Sequence, residues 1–365
     1  MKNTYGSAIT VTLFGESHGA AIGAVIDGLA PGIRIDTSYI DEKLALRRPV
    51  GNISTARVEK DSYTIASGIF NGYTTGSPIA IIIPNENTSS KDYSELKVLP
   101  RPSHADYTAE CKYHGYQDYR GGGHFSGRVT AALVAAGAII SQALEGLGIK
   151  IGTHISKLHG ISDRGFEALS DDIQYLQKKQ FPVLSAESEE KMKAEIKAAH
   201  SKGDSVGGVL ESVIMGIPAG VGEPWFDSVE SVISHILFSI GGIKGVEFGD
   251  GFRLADMLGS EANDPFTVNG DNVITKTNRN GGINGGITNG MPIIVRTAVK
   301  PTPSIYKEQD TVNLAKMQDA KLTIEGRHDP AIIHRARAVV DAALAIAVAD
   351  MLTVRFGTDY LANGK

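Results

Sequence analysis

Short apolar runs alternate with polar positions through the first 84 residues. Ala8 to Phe14, Gly23 to Asp27, Tyr63 to Phe70 and Ile79 to Pro84 are β-branched or alternating and are separated by turn residues, which predicts strands of a mostly antiparallel sheet. From Gly127 to Leu147 the period changes. Val129, Leu133, Ala136, Ile140 and Leu144 recur at helical spacing while alanine fills most positions between. The predicted helix has few polar faces, so it must be buried on more than one side. A second such helix is predicted to open at Asp329-Pro330, a side-chain N-cap followed by a first-turn proline, with Ile332, Ala336, Val339, Ala343, Ala347 and Met351 down one face. Between them, Glu187 to His200 carries Glu189 and Lys193 at i,i+4 and stops at Gly203, the pattern of a solvated helix supported by ion pairs. Strands resume at Val206 to Ile217 and Pro292 to Lys300. The simplest assembly is two small-residue helices at the centre with sheets outside. No linker, composition shift or fixed-period repeat divides the chain, so residues 1–365 are expected to form one large α+β domain.

Composition narrows the function classes. With 42% hydrophobic and 21% charged residues the chain is far from the make-up of disordered proteins. Lys+Arg 36 against Asp+Glu 41 leaves a net charge of −5, so no general basic field exists to hold a nucleic acid or an anionic membrane. A bound phosphate would have to meet a local cluster of arginines. The single cysteine, Cys111, removes disulfide scaffolds, Cys-rich zinc sites and paired-thiol redox motifs. The longest apolar stretch, Val129 to Ile140, falls short of the ~20 residues of a membrane span, and Met1 to Gly6 leads into no signal-peptide core. A cytoplasmic protein is expected. The 42 glycines in 365 residues exceed the roughly 7% of average usage, which predicts many tight turns and close backbone approaches.

Several segments offer chemistry. Gly15-Glu16-Ser17-His18-Gly19 formally satisfies the G-x-S-x-G of serine hydrolases, but only 14 residues precede it and another strand follows it, whereas a nucleophile elbow needs most of a parallel sheet before it and a helix after it. A turn whose His meets a backbone carbonyl is the plainer alternative. Arg101-Pro102-Ser103-His104-Ala105-Asp106-Tyr107 puts a second histidine in a segment too irregular for core packing, and Arg120-Gly121-Gly122-Gly123-His124-Phe125-Ser126-Gly127-Arg128 opens the first Ala-rich helix. Three glycines at a helix N-terminus are costly unless their N–H groups approach an anionic or polar ligand. Asn278 to Ile287 is a second glycine-rich loop, and Lys300-Pro301-Thr302-Pro303-Ser304 follows a strand with a cation and two hydroxyls. Neither contains a Rossmann or P-loop signature. Arg47, Arg48, Arg128, Arg327 and Arg335 recur beside these loops, and no metal pattern such as H-E-x-x-H is present. Histidines, clustered arginines and glycine-rich loops together suit an oxyanionic substrate beside a planar cofactor.

Three of these segments carry a resemblance over nearly the whole chain, from Gly6 to about Leu352. Gly15-Glu16-Ser17-His18-Gly19 continuing to Asp27-Gly28-Leu29-Ala30-Pro31, the stretch Gly121 to Arg128, and Gly326-Arg327-His328-Asp329-Pro330 resemble the motifs of the chorismate synthases. The resemblance implies a β-α-β sandwich with central helices between antiparallel sheets, usually a homotetramer. It implies an anti 1,4-elimination of phosphate from 5-enolpyruvylshikimate 3-phosphate, dependent on reduced FMN without net redox change. By the same resemblance His18, His104 and Asp329 are the catalytic residues: His18 a protonated partner of the phosphate, His104 a partner of the N1/C2-carbonyl edge of the flavin, and Asp329 a proton relay. Ser17, Arg47, Arg48, Arg128 and Arg335 would bind substrate, with Arg47 the best match to the family position. His124, Phe125, Ser126, Gly241, Gly242, Gly285, Lys300, Pro301, Thr302, Pro303, Ser304 and Arg327 match flavin contacts. No metal is implied. The chain departs from many relatives at Gly51-Asn52-Ile53, where an arginine is common, at His124, also often arginine, and at Ala331, often cysteine. Because no reductase domain is appended, the expected electron source is an external flavin reductase, with NADPH as indirect reductant.

Overall fold

The computed structural model describes residues 2–49, 51–54, 60–86, 97–324 and 328–363. Two five-stranded antiparallel sheets enclose two long helices. Strands β1 (Thr4–Tyr5), β2 (Thr10–Gly15), β3 (Ala21–Asp27) and β4 (Thr64–Ile65), a small hairpin of β5 (Ile69–Phe70) and β6 (Tyr73–Thr74), and β7 (Ile79–Pro84) form the N-terminal part, with sheet order β1-β2-β3-β7-β4. The run predicted as one strand from Tyr63 to Phe70 is thus broken in two at Ser67-Gly68, where Gly68 takes a φ of 82°. Val11 pairs with Ile26, Ile26 with Ile79, Ala24 with Ile81 and Ile22 with Ile83. This row of buried side chains is the inward face, as period-2 alternation requires.

After helix α1 (Thr37–Ala45) and the short α2 (Asp106–Tyr113), the first Ala-rich helix is a one-turn 3-10 segment, Gly127–Val129, running into α3 (Thr130–Gly146). The stretch Gly127–Gly146 has the length and apolarity of a membrane span, more than the sequence count of Val129 to Ile140 suggested, but most of it is buried inside the protein, as befits a core helix. The second sheet follows: β8 (Lys150–Leu158), β9 (Ile161–Ser162), β10 (Gly208–Met215), β11 (Ile243–Phe248) and, after the hairpins β12 (Phe266–Asn269) with β13 (Asn272–Thr275) and β14 (Ile283–Asn284) with β15 (Ile287–Thr288), strand β16 (Ile293–Val299), in the order β11-β16-β10-β8-β9. Helices α4 (Leu169–Gln177), α5 (Ala186–Ser201), α6 (Val229–Ser239) and the single turn α7 (Gly259–Ala262) lie between these strands in the chain. A hairpin, β17 (Gln309–Asn313) with β18 (Gln318–Leu322), precedes α8 (Ile333–Phe356).

Helix α5 is the expected charged helix, capped by Ser185, with Lys191 on Glu187 and Lys193 on Glu189. Helix α8 departs from expectation at its start. It begins at Ile333, its N-cap residue Ile332 makes no side-chain cap, and Asp329 pairs with Arg335 instead of capping. The carboxylate takes a charge-assisted bond to a guanidinium six residues on, and the helix itself starts four residues after Asp329.

Helices α3 and α8 pack at the centre, α3 against the first sheet and α8 against the second. Their separation is set at Gly137. A Cβ there would lie 2.4 Å from Ala342 Cβ and 2.5 Å from Ala342 Cα, so glycine on one helix and alanine on the other let the backbones meet. At the far end of α8, Asp350 is buried and accepts hydrogen bonds from the backbone N–H groups of Ser7, Ala8 and Ile9, which ties the entry of β2 to the central layer.

The opposite face of the second sheet carries a polar row in direct register. His154 stands opposite Glu211, Glu211 opposite Arg296, and Arg296 opposite Glu247. His154 Nδ1 lies 3.1 Å from Asp163 Oδ2 and its Nε2 3.3 Å from Glu211 Oε1, and Arg296 donates to both Glu211 and Glu247. Burial alone would lower the pKa of His154, but the two carboxylates hold it above the ordinary imidazole value.

Two outcomes follow. Gly137→Leu will lower stability by an overpacking cost of about 1–3 kcal/mol, read as a fall in the denaturant midpoint, while Gly146→Ala, with open space around it, will not. A raised folded-state pKa contributes stability that is complete below the unfolded value and is lost as pH rises through the folded one. The stability gap between wild type and His154→Gln, read from urea midpoints, will therefore be wider in mildly acidic than in mildly alkaline buffer.

Candidate functional site

The first candidate motif ends β2. Beyond Gly15 the chain turns so that Ser17 and His18 are both buried, with His18 Nδ1 3.2 Å from Ser17 Oγ. Ser17 N–H donates to Gly123 O at 3.0 Å, and His124 Nδ1 donates to Gly15 O at 2.7 Å. The turn is thereby stitched to the triple-glycine loop from both sides. No helix follows Ser17, which removes the hydrolase arrangement considered from sequence.

The glycines have a specific steric reason. Gly121, Gly122 and Gly123 adopt φ of 57°, 83° and 53°, conformations that L-residues with a Cβ rarely take. A Cβ at Gly121 would lie 2.3 Å from His18 Cε1, one at Gly122 3.3 Å from His104 Cε1, and one at Gly123 2.0 Å from Asp118 O. The loop therefore runs between the two histidines, with His18 against its first glycine and His104 against its second. His104 is itself held by Asp106, whose Oδ1 is 2.7 Å from its Nδ1, and Asp106 is gripped by Arg101.

The cationic candidates converge on the N-terminal ends of α3 and α8. Arg47, just past α1, donates to Thr130 Oγ1, to Gly127 O and, at 3.0 Å, to Asp61 Oδ2. Arg128 pairs with the other oxygen of Asp61 and donates to Asn85 Oδ1 and Pro84 O. Arg335 donates to the Arg47 carbonyl at 2.6 Å and pairs with Asp329, while Arg48 reaches Lys60 O. Asn85 also donates to the Glu16 and Gly19 carbonyls, joining the Ser17-His18 turn to Arg128. Nothing in the sequence marked Asp61 or Asn85, because their partners are distant in the chain.

The flavin-matching residues divide. Ser126 accepts from Arg128 N–H and Phe125 stands half-exposed against the Tyr113 ring. Lys300 donates its Nζ to Ser103 O and its backbone N–H to Gly242 O, so Gly241, Gly242 and the 300–304 segment sit beside the loop of His104. Burial, with Lys244 nearby, depresses the pKa of Lys300. Thr302 Oγ1 is buried with no hydrogen-bond partner among the described residues, and Ser304 is buried as well. A buried hydroxyl at Thr302, two residues along the chain from the half-buried Lys300 ammonium, with open space at Gly241, fits an anionic group as ligand. Pro301 and Pro303 belong to the same segment. Gly285 is not brought to this cluster by the described contacts: its hairpin bonds to Pro218, Gly220, Val221 and Val229. Arg327 lies outside the described residues. Tyr306 carried no signal in the sequence and His328 was named only as part of its motif, without a role; their rings are 5.5 Å apart, His328 being the neighbour of Asp329.

Taken together the site offers two histidines on one glycine loop, a carboxylate paired to an arginine, and guanidinium groups arrayed on a shared aspartate. That set can move protons and hold an oxyanion. Gly121→Ala will drive its methyl into His18: the imidazole resonances of His18 will shift and stability will fall by about 1–2 kcal/mol from the left-handed backbone alone. Gly127→Ala, with no atom within 4 Å of its Cβ, will leave both unchanged.

Comparison with known proteins agrees with these motifs. The family model described as chorismate synthase matches residues 9–353. The chain is similar to the chorismate synthases of Pyrococcus abyssi, at 45% identity over 96% of this chain and 97% of that protein, and of Methanobrevibacter smithii, at 43% over 100% and 99%. A crystal structure of chorismate synthase superposes with a TM-score of 0.74 at 29% identity, covering 97% of this chain and 94% of the other.

Proposed function

The chain belongs to the chorismate synthase family of lyases, and from that premise we propose that it converts 5-enolpyruvylshikimate 3-phosphate to chorismate by anti 1,4-elimination, with reduced FMN required and no net redox change. The observation that carries this is the placement of His18 and His104 on adjacent glycines of one loop, with Arg47, Arg128, Arg335 and Asp329 in the same hydrogen-bond network.

In the reaction the allylic carbon–oxygen bond breaks, phosphate leaves with the bonding electrons and a ring hydrogen is removed as a proton. Phosphate leaves an allylic carbon readily only when its charge is met, a task for Arg47, Arg48, Arg128 and Arg335 with Ser17 beside them. Since Asp61 already occupies Arg47 and Arg128, the phosphate must compete with that carboxylate for their N–H groups. His18 supplies a proton or positive charge to the departing phosphate. Asp329, oriented by Arg335, moves the ring proton. Bound reduced FMN would supply electron density transiently and recover it. Lys300 to Ser304, Gly241, Gly242, His124, Phe125 and Ser126 would hold it, with His104 at its edge.

We further propose a homotetramer formed by the full 1–365 unit, supported by the exposed apolar side chains Trp225, Phe226, Phe238 and Phe252, a cytoplasmic location, and an external flavin reductase that draws on NADPH.

Incubation of the protein with the phosphorylated substrate under strict anaerobiosis tests the reading through phosphate release. Dithionite-reduced FMN will support many turnovers without stoichiometric loss of reductant and oxidised FMN none; absence of release with reduced FMN would overturn it. Asp329→Asn, which keeps an oxygen for Arg335 but cannot relay a proton, will slow single turnover by about 10²–10⁴ with flavin affinity nearly unchanged.

A further inference from the structure

The geometry around His104 assigns a role to Asp106: we infer that Asp106 is a positioning residue that holds His104 in its Nδ1–H tautomer and directs Nε2 at the triple-glycine loop. His104 Nδ1 faces two groups, Asp106 Oδ1 at 2.7 Å and Arg101 Nη2 at 3.0 Å. Were Nδ1 a lone pair it could accept from Arg101, but it would then confront a carboxylate oxygen at 2.7 Å with no proton between them. With the proton on Nδ1, the imidazole and Arg101 Nη2 both donate to Oδ1, the latter at 2.8 Å. The shorter contact and the acceptor-only chemistry of a carboxylate select this second arrangement.

Asp106 can be that acceptor because it stays ionised. Burial pulls its pKa upward, yet hydrogen bonds from Arg101 and His104 hold it well below the ordinary carboxylate range. Arg101 fixes the carboxylate from three directions, through Nε at 2.8 Å, Nη2 at 2.8 Å and its backbone N–H at 3.0 Å. The opposite edge of the ring packs on Gly122, where a Cβ would fall 3.3 Å from Cε1 and 3.6 Å from Nε2. A ring tethered at Nδ1 and backed by Gly122 presents one nitrogen in one protonation form to the site, as buried carboxylates do for imidazoles elsewhere.

The kinetic consequence rests on the proposed role of His104; the tautomer does not. The test is long-range ¹H–¹⁵N correlation on the full chain labelled at histidine, under conditions where the ring is neutral, alongside steady-state kinetics with pre-reduced FMN. Wild-type His104 is expected as Nδ1–H. In Asp106→Asn, whose amide can turn an N–H toward Nδ1, the Nε2–H form will rise and kcat will fall by about 10²–10⁴ with KM for substrate changed less than about threefold; Asp106→Glu will restore part of the rate. An Nε2–H wild-type ring, or a tautomer ratio untouched by Asp106→Asn, overturns the inference, and the wild-type spectrum decides even if the variant fails to fold. A His104→Ala enzyme turning over at the wild-type rate would instead overturn the proposed role of His104, a separate failure.

Discussion

The contact between Gly137 and Ala342 sets the spacing of the whole molecule. It lets α3 and α8 lie backbone to backbone, and each sheet then packs on the outer flank of one helix. Both helices begin at the same end of the layer, since Arg47 bonds Gly127 O at the start of α3 while its own carbonyl accepts from Arg335 at the start of α8. The arginines and the Asp329 carboxylate are therefore placed by the central packing. A side chain larger than a hydrogen at position 137 would separate the helices and, with them, the two halves of the cationic cluster.

Charge in the site is held in shared pairs. Asp61 spans Arg47 and Arg128 with one oxygen to each, and both partners are almost wholly withdrawn from solvent. Buried charges of this kind persist only when each has a counter-charge and further hydrogen bonds, which Thr130, Gly127, Asn85 and Pro84 provide. The arginines are thus preorganised by the protein before any anion arrives. The same logic appears at Asp329 with Arg335 and at Asp106 with Arg101, each a carboxylate oriented by a guanidinium beside a candidate proton-transfer group.

Much of this was legible in one dimension. Alanine between the apolar positions of 129–144 and 332–351 excluded a polar face and so dictated two central helices, and alternation in 79–84 dictated a half-buried strand; these depend only on local periodicity. The motifs around His18, His104 and Asp329 were equally visible, because each is contiguous. What the sequence misjudged was local in another sense: Asp329-Pro330 has the signature of a helix cap, yet the carboxylate went to Arg335 six residues on. Periodicity cannot weigh a cap against an ion pair, since the choice turns on where a distant backbone, that of Arg47, holds the guanidinium.

Tertiary structure alone decided the rest. That two successive glycines, Gly121 and Gly122, meet two histidines, His18 and His104, that lie more than eighty residues apart in the chain is a steric fact of positive φ and of close approach, a Cβ falling 2.3 Å from one ring and 3.3 Å from the other. Asp61 and Asn85 joined the site through partners 14 to 69 residues away, without any local pattern to mark them. Sequence by itself determined the two central helices, the charged surface helix, the main strands and the contiguous chemical motifs, because those follow from neighbours along the chain. Only folding determined which polar groups share a proton or a charge, because electrostatic pairing depends on separation in space and on burial, neither of which is written at any single position.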